Sequence, residues 1–373
     1  MILSRRRFLA SLPPALAGLR TTASELPPFP DPEKGISTGW TIAVLPDSQN
    51  YAKFAANQKH FDRMCQWIAD HLAPWRIQLV LHEGDFVEQN GIAEGGGRGW
   101  GDQNSEQQWE SARRALAPLA DKVSVILATG NHDYGIRNAE NRDSRFPEFF
   151  PNDWNRPRSG SILLETAPNA AGKHTLENSA SAFTAPDGRK ILVVSLEWGP
   201  RRAVVEWARD LLARQEFASH TGILLTHDFI IPGDLRDGQD GNRRRSGNPH
   251  TYGTGRSGDT HDGEDLWKTL VFPSRNLHLV LNGHEMGSHV GRRTDPNAAG
   301  HPVHQLLFNA QGFGGGSDEK GNGGDGWLRL MTWEPDGRTL TVRTFSPLHA
   351  DAGRSPWFKG PQWQFQLTFP AAH

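Results

Sequence analysis

Five short polar clusters hold most of this chain's capacity for chemistry: Asp47 in LPDSQ, Asp85 in HEGDFVE, Asn131 and His132 in TGNHDY, His227 in LTHDF, and His284 in NGHEM. Carboxylate, amide and imidazole donors together suit zinc, iron or manganese better than calcium. Taken singly, Gly84-Asp85 and Gly130-Asn131 are ordinary turn pairs, and a lone histidine is a hydrogen-bonded surface residue. Their shared position separates them from that background, because each follows a short apolar run. In α/β sheets, sites gather outside the carboxyl ends of strands, so groups distant in sequence can converge there.

The elements that must position these residues follow from hydrophobic patterning. Apolar runs at 41–45, 77–81, 123–128, 191–196, 223–225 and 277–281 predict buried strands. Amphipathic stretches at 55–72, 106–119, 202–217 and 265–271 predict helices between them, which gives an α/β layered domain. Of the six strand ends, five lead into one of these clusters and only the one at 196 does not. Residues 327–333, 339–345 and 363–369 alternate apolar and polar around the turn Pro335-Asp336-Gly337, so the chain finishes in antiparallel strands. Two connections, 89–104 and 231–263, exceed the usual loop length of about 12–15 residues. Both follow polar motifs at strand ends and are expected to border the site, with most of their residues on the surface. The single cysteine, Cys65, recurs with Phe61, Ile68 and Leu72 at helical spacing and reads as a buried small hydrophobe. No internal repeat is present.

The ordered series Asp47, Gly84-Asp85, Gly130-Asn131-His132-Asp133, His227, Gly283-His284 resembles the calcineurin-like metallophosphoesterases, whose pattern is D-x-H, GD, GNH[DE], H and GHxH. The opening PDSQNY and the later segment from Gln311 through GGDGWLRL to TFSP resemble a bacterial subgroup with a PD-x-QNY first motif. The resemblance implies a sandwich of two facing mixed β-sheets flanked by helices. It also implies hydrolysis of phosphate esters, monoester or diester, through two divalent or trivalent cations. Asp85 would bridge them, with Asn131, His227 and His284 completing the second site and Asp47 serving the first. A carboxylate shared by two cations holds them about 3.5–4 Å apart, where a water is acidified into a hydroxide that attacks phosphorus in line. His132 is then the proton donor to the leaving alkoxide or a cationic stabiliser of the phosphoryl group, since Asn131 already supplies the ligand at that turn. Asp133 would orient His132 or cap the next element.

Two positions depart from the family pattern, and both fall on the first cation. Gln49 stands where the pattern has the histidine of D-x-H, and Met286 where it has the second histidine of GHxH. An amide oxygen is a weaker donor and a thioether poorly suits a hard or borderline cation, so the first site is weakened. Glu285 and His289 are the nearest substitutes, at spacings that do not match.

Bulk properties frame these readings. Hydrophobic residues make up 36% of 373 residues, with 13 Trp and 18 Phe as bulky filling for one main domain. Forty Lys plus Arg against 42 Asp plus Glu give no broad cationic field for nucleic acid or anionic lipid, so an anionic substrate must be captured locally. Arg243-Arg244-Arg245, Trp100 and Tyr134 are candidates for that contact, with surface solvation as the alternative. Residues 1–24 resemble a twin-arginine export signal, with Arg5-Arg6-Arg7, an apolar run from Phe8 to Leu19 and Ala15-Leu16-Ala17 as a cleavage site. That run is too short to anchor the protein by spanning a bilayer of about 30 Å, and the expected destination is periplasmic or extracellular. The phosphoesterase domain is then expected over 36–350, with the strands in 327–370 packed on it. Two other classes compete: a metal-stabilised binding protein with a degraded catalytic site, and a glycan-directed protein resting on the tryptophans with Glu83 and Glu88 as a carboxylate pair.

Overall fold

The computed structural model describes residues 26–92 and 101–371. The export signal expected over 1–24 and Trp100 therefore lie outside the described residues, as does much of the connection at 89–104. Fifteen strands follow in chain order: β1 (Trp40–Leu45), β2 (Ile77–His82), β3 (Ser124–Leu127), β4 (Leu163–Pro168), β5 (His174–Thr184), β6 (Lys190–Ser195), β7 (Thr221–Leu225), β8 (Ile230–Ile231), β9 (Leu235–Arg236), β10 (Leu277–Asn282), β11 (Val290–Pro296), β12 (Pro302–Phe308), β13 (Leu328–Trp333), β14 (Thr339–Phe345) and β15 (Phe365–Thr368).

They form two large mixed sheets and a small hairpin. The first sheet has the order β15-β14-β13-β1-β2-β3, the second β11-β12-β10-β7-β6-β5-β4, and β8 pairs with β9 alone. Within the first, β1, β2 and β3 are parallel, and within the second so are β6, β7, β10 and β12. Parallel strands covered on both faces need apolar side chains on both, which is why β1, β2 and β10 read as near-continuous apolar runs.

The alternation along β1 shows how the layers divide. Ile42 and Val44 point to the second sheet, meeting Ile223, Leu225, Leu279 and Leu281 in one core. Ala43 and Leu45 point the other way, to Phe61, Cys65, Trp67 and Ile68 on the helix Ala55–Asp70. The helix Arg202–Leu212 covers the outer face of the second sheet through Val204, Ala208 and Leu211 against Leu192, Val194 and Leu224. The result is the layered sandwich of two facing sheets between helices that the sequence implied. Cys65 sits fully buried where its spacing placed it, and burial pushes its thiol pKa well up.

Several elements departed from the patterning. The strands β4, β5, β11 and β12 were not anticipated, because β5 reads HTLENSASAFT, rich in small and polar residues, and β11 reads VGRRTDP. Both owe their strand state to pairing partners rather than to propensity. The connection at 231–263 was expected to be mainly surface, yet it is held to the body by Thr254 N–H to the Ala139 carbonyl (3.0 Å) and Arg202 N–H to the Asp259 carbonyl (2.9 Å). Among the described residues no helix is long and apolar enough to cross a membrane.

Candidate metal centre

The carboxyl ends of β1, β2, β7 and β10, with the turn after β3, meet at one edge of the sandwich. Asp47, Asp85 and Asn131 come from the first sheet, and His227 and His284 from the second. All five are buried or nearly so. The glycines of the motifs make this approach possible: a Cβ at Gly130 would lie 2.1 Å from Asp85 Oδ1, and one at Gly283 2.1 Å from Asp47 Oδ1. Asp85 and His284 themselves adopt left-handed backbone conformations, at φ of 54° and 68°. Such conformations cost a non-glycine residue about 1–3 kcal/mol and concentrate at functional sites.

Three histidine tautomers follow from their partners, since a carbonyl can only accept. His227 donates Nδ1–H to the Glu83 carbonyl (2.7 Å), which leaves Nε2, 3.2 Å from Asp85 Oδ2 and 4.0 Å from Asp47 Oδ2, as the atom that takes either a proton or a cation. His284 donates Nε2–H to the Gly247 carbonyl (2.9 Å), leaving Nδ1 as its free donor atom. His132 donates Nδ1–H to the Glu88 carbonyl (2.8 Å), so Nε2 is free to exchange a proton. Ligand atoms of Asp85, His227 and His284 lie within 4.8 Å of one another. Holding a ligand imidazole through its other nitrogen fixes both tautomer and orientation.

Orphaned atoms mark where a cation fits. Asn131 Oδ1, His227 Nε2 and Gln49 Oε1 are buried without any hydrogen-bond partner, although the other end of each amide is engaged, Asn131 Nδ2 with Asn138 Oδ1 and Gln49 Nε2 with Asp85 Oδ2 (3.0 Å). Unpaired buried polar atoms cost about 1–3 kcal/mol each, and bound metal ions would satisfy all three. The carboxylates ask for the same thing. Burial, with the Asp85 charge adding to it, pushes Asp47 up to about 7. Burial also opposes the charge on Asp85, but His227 and His132 beside it hold its carboxyl well below the usual range. Burial lowers the pKa of His227, yet the Asp85 and Asp47 carboxylates overcome it and raise the ring to about 10. Two carboxylates sharing one dry pocket need positive charge, from protons or from a cation.

The surroundings of Asp47 differ from those of Asp85. Asp47 accepts from the His284 backbone N–H (3.2 Å to each oxygen), from Asn309 Nδ2 (2.7 Å) and from Gln311 Nε2 (3.2 Å). Met286 is half exposed at the rim and Glu285 pairs with Arg245 at 2.8 Å. His289 donates Nδ1–H to the Asn309 carbonyl (2.9 Å) and lies against Phe313, while Glu285 groups with Asp228 and His284 in a second cluster whose donor atoms lie within 4.8 Å of one another. Asn309 and Gln311 were not assigned roles from sequence. Their signal was the one used elsewhere, a polar pair directly after an apolar run, here β12, which the patterning had not recognised as a strand.

Other expected residues moved to different work. Asp133 does not orient His132; its carboxylate accepts from the N–H groups of Asp85 (2.9 Å), Phe86 (2.8 Å) and Gly130 (2.8 Å), pinning two motif turns together. The Glu88 carbonyl orients His132 instead. Burial works against charging His132, but Asp85 and Glu88 outweigh it and raise its pKa. Tyr134 is buried, its hydroxyl bonded to Thr129 and Glu177. Arg243 turns to Asp262 and Asp265, and Arg245 to Asp237 and Glu285. Glu83, weighed as half of a glycosidic carboxylate pair, is sealed 1% exposed beneath the site beside Arg329. At the end of β6, which offered no ligand, Trp198 supplies a wall, its ring 4.9 Å from that of His284 and 5.6 Å from that of His227.

A fold of this layering with donors at these strand ends defines a class. The calcineurin-like phosphoesterase family profile matches residues 41–288, and the chain belongs to that family. Membership implies divalent metal ions at this centre. The chain is also similar to the uncharacterized protein YvnB of Bacillus subtilis (strain 168), 26% identical over 337 residues. The match takes in 88% of this chain but 21% of YvnB, so the chain spans about a fifth of that relative's length. Among solved structures it is similar to GAP50, the anchor in the inner membrane complex of Plasmodium, with TM-score 0.46 and 9% identity over 89% of each chain.

Proposed function

We propose that this chain hydrolyses phosphate esters with the help of bound metal ions, Asp85, Asn131, His227 and His284 holding one cation and Asp47, Asp85 and Gln49 the other. The observation that carries this reading is the trio of buried, unpartnered atoms, Asn131 Oδ1, His227 Nε2 and Gln49 Oε1, gathered around Asp85. A cation there supplies Lewis acidity, drawing charge from the phosphoryl oxygens and making water nucleophilic near neutral pH. His132, locked by the Glu88 carbonyl, holds the proton that its Nε2 gives to the leaving oxygen. Trp198 and Tyr252 shield the two ligand histidines from bulk water. The test is metal content measured together with hydrolysis of a generic phosphodiester and monoester. Metal retained without turnover of either would favour the second reading, a metal-stabilised binding protein, for which the dense amide bonding of Asp47 speaks.

The unequal donor sets lead to a further expectation. Gentle chelation should strip about one metal first, from the Asp47 side, with activity falling in step, and manganese should restore it better than a thiophilic ion. Gln49→His should tighten that site, since Gln49 Oε1 already sits buried in it. Two metals of matched affinity in the purified protein would show that Gln49 and the amide ring suffice as they are. We further propose that the chain is exported, as its first residues suggest.

A further inference from the structure

We infer that this site selects phosphodiesters over phosphomonoesters, an inference that rests on the phosphoesterase reading above. The cavity over the centre, about 230 Å³, is bounded beyond the ligand set by Asn50, Glu88, Asn138, Tyr252, Met286 and Gln311, among others. Among the described residues no Lys or Arg lines it. The arginines the sequence offered are spent on Asp237, Asp262, Asp265 and Glu285. Beyond the ligand set the wall adds His132, whose proton is committed to the leaving oxygen, and one carboxylate, Glu88, whose partner Lys53 at 3.6 Å is itself buried and not part of the wall.

The two ester classes place different demands on such a wall. A monoester carries close to two negative charges near neutral pH, its second pKa lying near 6, and presents three terminal oxygens. A diester carries one charge, two such oxygens and two organic substituents. Asp47 and Asp85 already cancel part of the charge of any cations held between them, so the extra charge of a monoester needs a further cationic group, and here it meets Glu88 instead. Amides, a phenol and a thioether answer a singly charged, organically substituted phosphate without that penalty. Met286, 50% exposed at the rim, and Tyr252 give the second substituent an apolar surface to lie on.

The experiment compares kcat/KM for bis(p-nitrophenyl) phosphate and p-nitrophenyl phosphate, which share a leaving group, on the metal-loaded protein. The unaltered protein should favour the diester. Met286→Arg, at a half-exposed position where folding is safe, should raise the monoester-to-diester ratio by roughly 10-fold by restoring a cation to the rim. Glu88→Gln should move the ratio the same way by less, while its backbone carbonyl still holds His132. A preference of the unaltered protein for the monoester, or a ratio that neither variant moves, overturns the inference. Turnover of neither ester is a separate result: it removes the phosphoesterase reading and this inference with it.

Discussion

Asp85→Asn is expected to lose metal and activity together. Each Asp85 oxygen now has a defined duty: Oδ1 accepts the His132 backbone N–H at 2.9 Å, and Oδ2 accepts Gln49 Nε2 at 3.0 Å while facing His227 Nε2. An amide has one oxygen, so its NH2 must point at one of those donors, N–H against N–H. It also has no charge to share between two cations. Metal analysis should therefore fall toward zero and hydrolysis to background. The discriminating readout is thermal: a cation in 1,000-fold excess over its Kd stabilises the native state by about 4 kcal/mol, and that added stability should vanish in the variant. The metal-free variant should still fold, because removing one of two carboxylates relieves the repulsion that helps push Asp47 up to about 7. A variant that keeps its metal and its metal-dependent stabilisation would exclude Asp85 as a bridging ligand.

His132→Ala should do the opposite, sparing metal and costing turnover. The His132 ring bonds the Glu88 carbonyl and supplies no orphaned atom to the ligand trio. Losing a general acid typically costs 10²-fold to 10⁴-fold, and the cost depends on how badly the leaving group needs a proton. Alkyl phosphate esters should show the roughly 10²-fold to 10⁴-fold loss, whereas p-nitrophenyl esters, whose phenolate leaves unaided, should lose much less. Equal losses on both classes would mean that His132 acts on the phosphoryl group by charge rather than on the leaving oxygen by proton transfer.

The convergence of these donors was legible because each stands within a few residues of the end of an apolar strand, and strand ends are where an α/β sheet concentrates its chemistry. Asp47, Asp85, Asn131, His227 and His284 needed no knowledge of how the sheets face each other. The amide ring around Asp47 did. Asn309 and Gln311 follow β12, whose PVHQLLF begins with proline and carries two polar residues, so its strand state comes from pairing with β10 and β11. The choice between the two roles weighed for Asp133, orienting His132 or capping, has a similar origin. A carboxylate next to a candidate catalytic histidine suggests a dyad, but one residue of separation in a 3₁₀ turn sends the two side chains apart, Asp133 inward to three backbone N–H groups and His132 outward. Gly247 and Tyr252 lie in a connection whose composition suggests surface, and their role depends on where that connection folds back.

The strand at the middle of the first sheet has a consequence for how the protein is made. β1 carries Asp47, and its antiparallel neighbour is β13, with Trp40 opposite Trp333. During synthesis, Trp40–Leu45 emerges long before its partner, and until β13 arrives one edge of a largely apolar strand stays open. Pairings that span most of a chain form slowly, because loop closure must precede any gain from contact. An unpaired apolar edge is also a template for association with other chains. The nascent protein therefore passes through a stage at which that edge is open to association, and the ring of donors that holds Asp47 closes only after the residues following β12 have been made.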